Sequence, residues 1–426
     1  MFSSTRRAFL GASLAGLASG RLFAAPPAES VKIIDDPPFR PDTLFLTWQR
    51  DPTTTMTVQW VSALGEATDT TVYYTPSREV RWQSQAAAVR PYPRTDLKVF
   101  RAELAGLTPD TDYQFRIGKQ SPLYRFRTMP AKATNTIHFI SGGDCGVNAH
   151  AVANNITAAR QDPMFVLIGG DLAYDNGVAA ATNLAFLRNY SKHMIGRDGR
   201  LIPLIACIGN HEVEGGYHQP RSKAPFFYAL FDGLYPEKGF ACLDFGDYLS
   251  LVLLDTNHTT PIAGEQTDWL EQTLRARKDH PNVFVVNHVP SYPSYRNPEP
   301  VKGKDGKEKA GTGSDSRKHW VPLFEKYRVP VVLEHHDHTF KRTKPLLNGL
   351  AHDNGVLYLG DGSWGRLRTP KTPDKLSYLA VSGRDYHLSL HRIQGRERFH
   401  LAFDERGRIM DVCRSGQRKN GLVRGS

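Results

Sequence analysis

Residues 165–174 read FVLIGGDLAY, and the interpretation of the whole chain starts from this stretch. Its first four residues are an apolar run of strand length, which is typical of a strand buried in a parallel sheet. The two glycines that follow allow a tight turn in which the backbone can come close to a small ligand. Asp171 then lies at the carboxyl end of the strand, where open α/β sheets bind their ligands. The stretch therefore predicts a strand that ends in a binding site.

The same pattern, an apolar run that ends in Asp, Asn or His, occurs four more times. Helical-looking stretches separate the runs, which favours βαβ units and a largely parallel sheet. Because the carboxyl ends of parallel strands meet at one edge of a sheet, we expect all five polar ends to converge on one rim. The further runs span residues 137–140, 201–205, 283–286 and 329–333, and they lead to Asp144, to Asn210 and His211, to His288, and to His336 and His338.

The converging side chains carry more nitrogen and oxygen than a packed core accommodates. They fit two metal ions about 3.5–4 Å apart with a carboxylate between them. Because the four cysteines lack zinc-site spacing, the ligands are imidazole, carboxylate, amide and phenol groups. The alternative is a set of unrelated capping residues and packed histidines, and the recurrence in five blocks argues against it. The predicted set is Asp144, Asp171, Tyr174, Asn210, His211, His288, His336 and His338.

The five blocks resemble those of the metallophosphoesterases, and of the purple acid phosphatases in particular. That family's blocks are Asp-x-Gly, Gly-Asp-x-x-Tyr, Gly-Asn-His-Glu, Val-x-x-His and Gly-His-x-His, and their order and spacing match here. General metallophosphoesterases carry a histidine two residues after the first Asp, where this chain has Gly146. Tyr174 is present instead, which selects the purple branch. The resemblance implies a four-layer α/β/β/α sandwich over residues 136–415.

The resemblance also implies which residues hold the first metal ion. Asp144, Tyr174 and His338 would bind Fe³⁺. The phenol supports this choice of metal independently, because a free phenol has a pKa near 10 and only a strong Lewis acid keeps it ionised at neutral or acidic pH.

The remaining residues of the set receive their roles in the same way. Asn210, His288 and His336 would bind a divalent ion, which is Fe, Zn or Mn. Asp171 would bridge the two ions. His211 would be the catalytic residue that stabilises or protonates the leaving group.

The activity that the resemblance implies is hydrolysis of phosphate esters by a metal-bound hydroxide. The protein would be an acid phosphatase that acts mainly on phosphomonoesters. Two alternatives stay open. One is a phosphodiesterase or nucleotidase of the same superfamily that uses zinc or manganese and has no ferric ion. The other is a non-catalytic surface-binding protein with a degenerate metal site.

The composition is that of an ordinary globular protein with a basic surface. The chain has 426 residues, of which 40% are hydrophobic and 23% charged, and its formal net charge is +11. A basic surface attracts nucleic acids, anionic membranes or small anionic substrates. No arginine-rich helix or base-stacking motif is present, so we expect a phosphate-ester substrate and no nucleic-acid partner. The oligomeric state stays open.

Residues 1–25 are interpreted as a twin-arginine export signal. Arg6 and Arg7 precede a short apolar stretch of small residues, and Ala24 or Ala25 offers a cleavage site. The apolar stretch is too short to span a membrane, so no stable membrane insertion is expected. Because this pathway exports folded proteins, the protein would reach the periplasm or the medium with its metals already bound.

Residues 30–130 predict a separate all-β domain. Short segments of alternating polarity with turns between them favour an antiparallel sandwich of the fibronectin type III kind. Residues 107–109 (LTP) followed by Tyr113 resemble the tyrosine corner of those domains. Larger purple acid phosphatases carry such a domain ahead of the catalytic one, and residues 48–52 (WQRDP) resemble theirs.

Two departures from the family pattern concern the catalytic part of the chain. His335 occupies the place of the family's glycine before the last His-x-His. Where many plant members carry substrate-contacting histidines after the Val-x-x-His block, this chain has Tyr295 and Arg296, which are candidates for phosphate contact. Residues 296–317, which follow, are rich in Lys, Gly and Glu and predict a basic surface loop, either a lid over the site or a loop without a role.

Overall fold

The structure, a computed structural model, describes residues 39–119, 121–302, 306–360 and 362–416. The interpreted export signal, residues 1–25, lies outside the described residues, and so do residues 303–305 of the basic loop. None of the helices in the described ranges combines the length and the apolar character needed to cross a bilayer.

The first part of the described chain is an all-β sandwich, as predicted. Its eight strands form two four-stranded antiparallel sheets, with the orders β1-β2-β6-β5 and β4-β3-β7-β8. Residues alternate between core and solvent along β7, because successive side chains of a strand point to opposite faces. The strands are β1 Phe45–Thr47, β2 Met56–Ser62, β3 Val72–Pro76, β4 Gln83–Gln85, β5 Ala88–Pro91, β6 Lys98–Leu104, β7 Asp112–Ile117 and β8 Tyr124–Arg127.

The tyrosine corner is present in this sandwich. Tyr113 is buried, and its hydroxyl accepts a hydrogen bond of 3.0 Å from the backbone N–H of Thr108. This bond fastens the turn between β6 and β7 to the start of β7, which is the function of such a corner.

The second part contains the remaining strands and the helices. Its strands are β9 Ile137–Gly142, β10 Val166–Ile168, β11 Leu204–Ala206, β12 Ala241–Phe245, β13 Leu249–Leu254, β14 Val283–Asn287, β15 Val301–Lys302, β16 Glu308–Lys309, β17 Val331–Glu334, β18 Phe340–Thr343, β19 Leu346–Leu347, β20 Leu350–Ala351, β21 Leu357–Gly360, β22 Leu379–Gly383, β23 His387–Gln394, β24 Glu397–Asp404 and β25 Ile409–Ser415. Its helices are α1 Ala149–Arg160, α2 Ala180–His193, α3 Pro225–Phe231, α4 Glu265–Ala276, α5 Ser314–His319 and α6 Val321–Lys326, with 3-10 turns at Asn210–Glu212 and Arg221–Lys223.

Two mixed sheets, rather than one largely parallel sheet, carry the five predicted blocks. The six-stranded sheet has the order β11-β10-β9-β23-β24-β25, and the seven-stranded sheet has the order β12-β13-β14-β17-β21-β18-β22. Strands β9 to β11 are parallel to one another, and so are β13, β14, β17 and β21, while antiparallel strands complete each sheet. Three blocks therefore follow strands of one sheet, and two follow strands of the other.

The two sheets pack face to face with helices outside them, which confirms the α/β/β/α layers. Phe139 of β9 meets Phe284 of β14 edge to face, with ring centroids 5.3 Å apart. Strand β13 is apolar on both faces: its odd-numbered leucines join the core between the sheets, while Val252 and Leu254 join the core beneath α4 and α6. A strand buried on both faces reads as a continuous apolar run, which is why these strands were recognisable in the sequence.

The sandwich packs firmly on the second part. Trp48 is buried and lies edge to face against Phe165 and Phe245, at centroid distances of 6.0 and 5.8 Å. Arg101, also buried, donates a hydrogen bond of 2.5 Å to Asp232 just beyond α3. The WQRDP stretch, residues 48–52, thus contributes an apolar anchor between the two parts of the chain.

Candidate metal centre

All eight predicted site residues lie where the carboxyl ends of β9, β10 and β11 meet those of β14 and β17. Five of the eight have a left-handed backbone, with φ between 56° and 73°. Non-glycine residues adopt this conformation at a cost, and a cluster of such residues is a feature of functional sites. The five are Asp144, Asp171, Tyr174, His336 and His338.

One group of donor atoms consists of a carboxylate, a phenol and an imidazole. The hydroxyl of Tyr174 lies 3.2 Å from Oδ1 of Asp144 and 3.0 Å from Nε2 of His338. Nε2 of His338 is itself 3.0 Å from Oδ1 of Asp144. The backbone N–H of His336 donates to the other oxygen of Asp144 at 2.8 Å, which leaves Oδ1 directed at the group. These are the three residues predicted to hold the ferric ion.

A second group lies beside the first. Nε2 of His288 is 3.2 Å from Oδ1 of Asn210 and 3.2 Å from Nδ1 of His336. Nε2 of His288 also lies 3.3 Å from Oδ1 of Asp171, so the group reaches the predicted bridging carboxylate. The donor atoms of Asp144, Asp171, His288 and His336 all lie within 4.8 Å of one another.

Asp171 supplies the test of whether the centre fits metal ions. The residue is completely buried, and its Oδ2 atom has no hydrogen-bond partner among the described residues. A buried carboxylate oxygen without a partner is costly unless a cation neutralises it. The other donor atoms of the centre are nitrogen and oxygen only. The unpartnered Oδ2 of Asp171 therefore fits a site in which this carboxylate would be shared by two cations.

The electrostatics of the cluster also favour positive charge between its members. Burial lowers the pKa of His288, but the carboxylates of Asp171 and Asp144 outweigh this and raise it to about 9. Burial, together with the same two carboxylates, raises the pKa of Tyr174 well above that of a free phenol. A phenolate at Tyr174 therefore needs a strong cation beside it.

Neighbouring groups fix the orientation of the imidazoles. Nδ1 of His288 donates to the carbonyl of Gly169 at 2.9 Å, which leaves the lone pair of Nε2 directed at the centre. Nε2 of His336 faces the hydroxyl of Tyr217 at 3.2 Å, which leaves its Nδ1 directed at the centre. Such outer contacts select the tautomer that a metal ligand requires.

Glu212 ties two of the blocks together. Its buried carboxylate accepts hydrogen bonds from the backbone N–H groups of Gly209, Asp171 and Leu172, at 2.7, 2.8 and 2.7 Å. The turn after β10 and the turn after β11 therefore share one acceptor. The sequence shows Glu212 as the last residue of Gly-Asn-His-Glu but gives no indication of this role.

His211 lies at the edge of the cluster, partly open to solvent. Its Nδ1 is 2.5 Å from Oδ1 of Asn176, and its ring lies against the ring of Tyr174 with centroids 4.3 Å apart. Its Nε2 is 3.9 Å from Oδ2 of Asp171. Burial is the largest influence on its imidazole and lowers its pKa.

Tyr295 and Arg296, the predicted substrate contacts, lie close to the centre with partners of their own. Arg296 donates to Oδ1 of Asp337 at 2.5 Å and to the carbonyl of His336 at 2.7 Å, so its guanidinium fastens the turn between the last two histidines. The backbone N–H of Tyr295 donates to the other oxygen of Asp337 at 2.6 Å, and its ring is partly exposed.

His335 fits its place without a left-handed backbone, in contrast to its neighbour His336. Its buried ring lies against the α-carbons of Gly143 and Gly169, where added Cβ atoms would come within 2.6 and 1.9 Å of ring atoms. Its Nδ1 lies 3.1 Å from the carbonyl of Asn287. Two glycines in the strand-end turns thus accommodate the side chain that the family pattern lacks.

An open cleft with a volume of about 460 Å³ adjoins the centre. Three residues of the centre line it, namely Tyr174, His211 and His338, together with Asn148, Tyr386 and residues 365–368. Arg366 contributes its guanidinium, whose central carbon lies 4.0 Å from the centroid of the Tyr174 ring. The sequence gives no signal for this arginine, because its segment shares no motif with the five blocks.

Family comparisons agree with this arrangement. Residues 41–128 match the family model described as "Purple acid Phosphatase, N-terminal domain", and residues 137–340 match the one described as "Calcineurin-like phosphoesterase". Together the two matches span more than half of the chain.

Individual relatives carry corresponding names. Purple acid phosphatase 21 of Arabidopsis thaliana is 25% identical over an alignment of 290 positions, and the alignment covers 65% of this chain and 62% of the relative. The chain thus spans less than two thirds of that relative's length. Acid phosphatase type 7 of Homo sapiens is 24% identical over an alignment of 411 positions, and the alignment covers 88% of this chain and 90% of the human protein.

A solved structure shares the fold. The purple acid phosphatase PPD1 from yellow lupin (Lupinus luteus) seeds superimposes with a TM-score of 0.71 at 16% sequence identity, and the alignment covers 87% of this chain and 73% of the lupin chain. The order of the two domains and the family matches agree with this likeness, and the chain belongs to the purple acid phosphatase branch of the calcineurin-like phosphoesterases.

Proposed function

We propose that the protein is a binuclear-metal phosphohydrolase that cleaves phosphate esters, with phosphomonoesters as its main substrates. The observation that carries the proposal is the meeting of two donor groups at the buried carboxylate of Asp171, whose Oδ2 has no protein partner among the described residues. Family membership supports the reaction class, since relatives of this chain bear the names of acid phosphatases.

Each donor group is assigned one cation. Asp144, Tyr174 and His338 would hold Fe³⁺, because a phenol in this environment ionises only beside a strong Lewis acid. The second group, Asn210, His288 and His336, would hold a divalent Fe, Zn or Mn ion, and Asp171 would be shared. When bound, the two cations supply Lewis acidity and activate the water that attacks phosphorus.

His211 is the residue that we assign to the leaving group. The contact of its Nδ1 with Asn176 directs Nε2 toward the centre, 3.9 Å from Oδ2 of Asp171, and the partly exposed imidazole borders the cleft where the alcohol portion of an ester would lie. A protonated Nε2 donates its proton to the departing oxygen. Asn176 acts by accepting from Nδ1–H and fixing the plane of the ring, so the transferable proton on Nε2 belongs to the imidazolium form.

Metal analysis, a visible spectrum and hydrolysis of phenyl phosphate test these assignments together. We expect two metal ions per chain, a violet phenolate-to-iron absorption band and turnover. His211→Ala is expected to keep both metals and the band while the rate falls roughly 10²- to 10⁴-fold, and Asp171→Asn is expected to lose both metals. His352→Ala, which changes an exposed histidine, is the control.

The results separate the alternatives. Two zinc or manganese ions without the violet band, and faster turnover of diesters, would favour a phosphodiesterase of the same superfamily. Absence of both metal and turnover would favour a non-catalytic binding protein. Parental activity in His211→Ala would remove His211 from the mechanism.

We further propose that the protein is exported through the twin-arginine pathway to the periplasm or the medium. The proposal rests on Arg6, Arg7 and the apolar stretch that follows them. Replacing both arginines by lysine should retain the protein in the cytoplasm, as measured by cell fractionation. Unchanged export of that variant would contradict the proposal.

A further inference from the structure

The cleft beside the centre carries positive charge and has no carboxylate among its described lining residues. Arg366 and Arg368 both line it. No ion pair or side-chain hydrogen bond of either guanidinium occurs within the described ranges; Arg366 contacts the ring of Tyr174, and Arg368 lies 4.9 Å from the ring centroid of Tyr295. By contrast, Arg296, which is not among the cleft residues, is bound to Asp337.

The segment that carries the two arginines is fastened to the centre itself. The backbone N–H of Gly365 donates to the carbonyl of Asp144 at 3.0 Å, and that of Arg368 donates to the carbonyl of His338 at 2.7 Å. Asn148 donates to the carbonyl of Gly365 at 2.7 Å. Both ends of the segment are therefore positioned relative to two of the proposed metal ligands, so the guanidinium groups project from a fixed base.

Gly146 leaves room for one of these groups. A Cβ atom placed on Gly146 would lie 3.5 Å from both Nε and Nη2 of Arg366, so a larger side chain there would meet the guanidinium. Because Gly146 has no side chain, the guanidinium of Arg366 can lie directly above it. The result is a cationic wall next to the ring of Tyr174.

We propose that Arg366 and Arg368 bind a second anionic group of the substrate, a phosphate or a carboxylate on its alcohol portion. This inference rests on the proposed function: with the reacting phosphate at the centre and the leaving oxygen at His211, the alcohol portion extends into the cleft. A guanidinium binds a carboxylate or phosphate through two parallel hydrogen bonds. The preferred substrates are thus phosphomonoesters of anionic alcohols.

Three substrates on one aromatic frame test the proposal: phenyl phosphate, 4-carboxyphenyl phosphate and 1,4-phenylene bisphosphate. In the Arg366→Met, Arg368→Met double variant, KM for the two anionic substrates should rise roughly tenfold, while KM for phenyl phosphate should change less than about twofold. Comparing each substrate between variant and parent cancels differences in leaving-group reactivity. Added salt should weaken the parental preference, because the cleft is open to solvent.

Arg392→Met is the control for loss of a positive charge. Arg392 is exposed and lies opposite His138 on the neighbouring strand. Because His138 is six residues before Asp144 on an extended strand, Arg392 is roughly 20 Å from the centre. The violet band is followed in every variant. Equal effects of the double variant on all three substrates would show that the arginines act on the centre itself and would overturn the proposal.

A binding measurement keeps the inference separate from the proposed function. If the metal-loaded protein hydrolyses none of the esters, calorimetry with benzylphosphonate and 4-carboxybenzylphosphonate still applies. Tighter binding of the carboxylated compound by the parent, lost in the double variant, would support an anion site in the cleft even though the phosphatase assignment had failed. Equal affinity for the two compounds would overturn the anion site.

Discussion

The hydroxyl of Tyr92, in the N-terminal sandwich, donates a hydrogen bond of 2.7 Å to Oδ1 of Asn183 in helix α2. Nδ2 of Asn183 in turn donates to Oδ2 of Asp175 at 2.8 Å, and Asp175 directly follows Tyr174 in the chain. All three residues of this connection are buried. A side chain of the sandwich is thus joined by two hydrogen bonds to the turn that carries the phenol of the centre.

Tyr92→Phe should therefore affect both stability and the centre. The buried Oδ1 of Asn183 would lose its donor, at a cost of about 1–2 kcal/mol in the free energy of unfolding. With the turn less firmly held, the violet band should shift or weaken. Urea unfolding and the visible spectrum measure the two effects. Tyr73→Phe is the control, since that hydroxyl bonds Asp69 within the sandwich. A stability loss with an unchanged band would limit Tyr92 to a structural role.

Glu212→Gln should loosen the turns after β10 and β11. A neutral amide offers one acceptor oxygen to three buried N–H groups, so at least one of them loses its partner, at a cost of about 1–3 kcal/mol. We expect a lower urea midpoint and faster loss of metal to a chelator. Glu214→Gln, two residues further on, removes only partly exposed ion pairs with Arg94 and Lys223 and should change little. Similar behaviour of the two variants would contradict the proposed clamp.

The pair Gly169 and His335 should show strong energetic coupling. In Gly169→Ala the new Cβ would lie 1.9 Å from a ring carbon of His335, and the overpacking should cost about 3 kcal/mol. In the double variant with His335→Gly, the ring is absent and that clash disappears. The loss in the double variant should thus be smaller than the sum of the two single losses. If the losses in the free energy of unfolding, measured with urea, are additive, the surroundings relax around the ring and the predicted coupling is wrong.

Acid should destabilise the six-stranded sheet through His391. This histidine is buried between Ser141 and His400, at 2.7 and 2.8 Å, and burial lowers its pKa to about 3. An unfolded histidine titrates near 6.5, so between pH 6.5 and 3 the unfolded chain binds one more proton than the folded chain. The contribution is fully present above pH 6.5 and declines by about 1.4 kcal/mol per pH unit below it.

His391→Gln provides the test of this acid sensitivity. Glutamine retains polar contacts but does not titrate, so the fall in the urea midpoint between pH 6.5 and 4 should become shallower by one proton. Burial also lowers the pKa values of His258, His335 and His387 to about 3 and that of His400 well below 6.5, so these histidines should keep the remaining slope. Identical pH dependence in parent and variant would show that other groups govern acid unfolding.

The ligand-bearing strands could be predicted because each combines a local apolar run with a polar end. Residues 165–168 predict a strand, and the structure has one at Val166–Ile168, with Asp171 in the turn beyond it. The tyrosine corner was equally local, since Tyr113 and Thr108 are five residues apart. Signals of this kind depend on short spacing, which a single sequence displays directly.

Other features depend on contacts between distant segments and had no such signal. Strand β9 pairs with β23, so Ser141 lies opposite Ser389, and this pairing places the parallel strands in two sheets rather than one. The room for His335 exists because Gly143 and Gly169 meet it from other strand ends. The guanidinium of Arg366 contacts the ring of Tyr174 although the two residues lie far apart in the sequence, and the fold of residues 362–366 brings them together.

The division of the centre between two sheets has a consequence for how cations enter and leave. Asp144, Asp171 and Asn210 follow strands of the six-stranded sheet, whereas His288, His336 and His338 follow strands of the seven-stranded one. Cations bound by ligands from both sheets would link the two sheets across the core between them. Their exchange with the medium would require ligands from the two sheets to move apart, through motion of the strand-end turns that carry them.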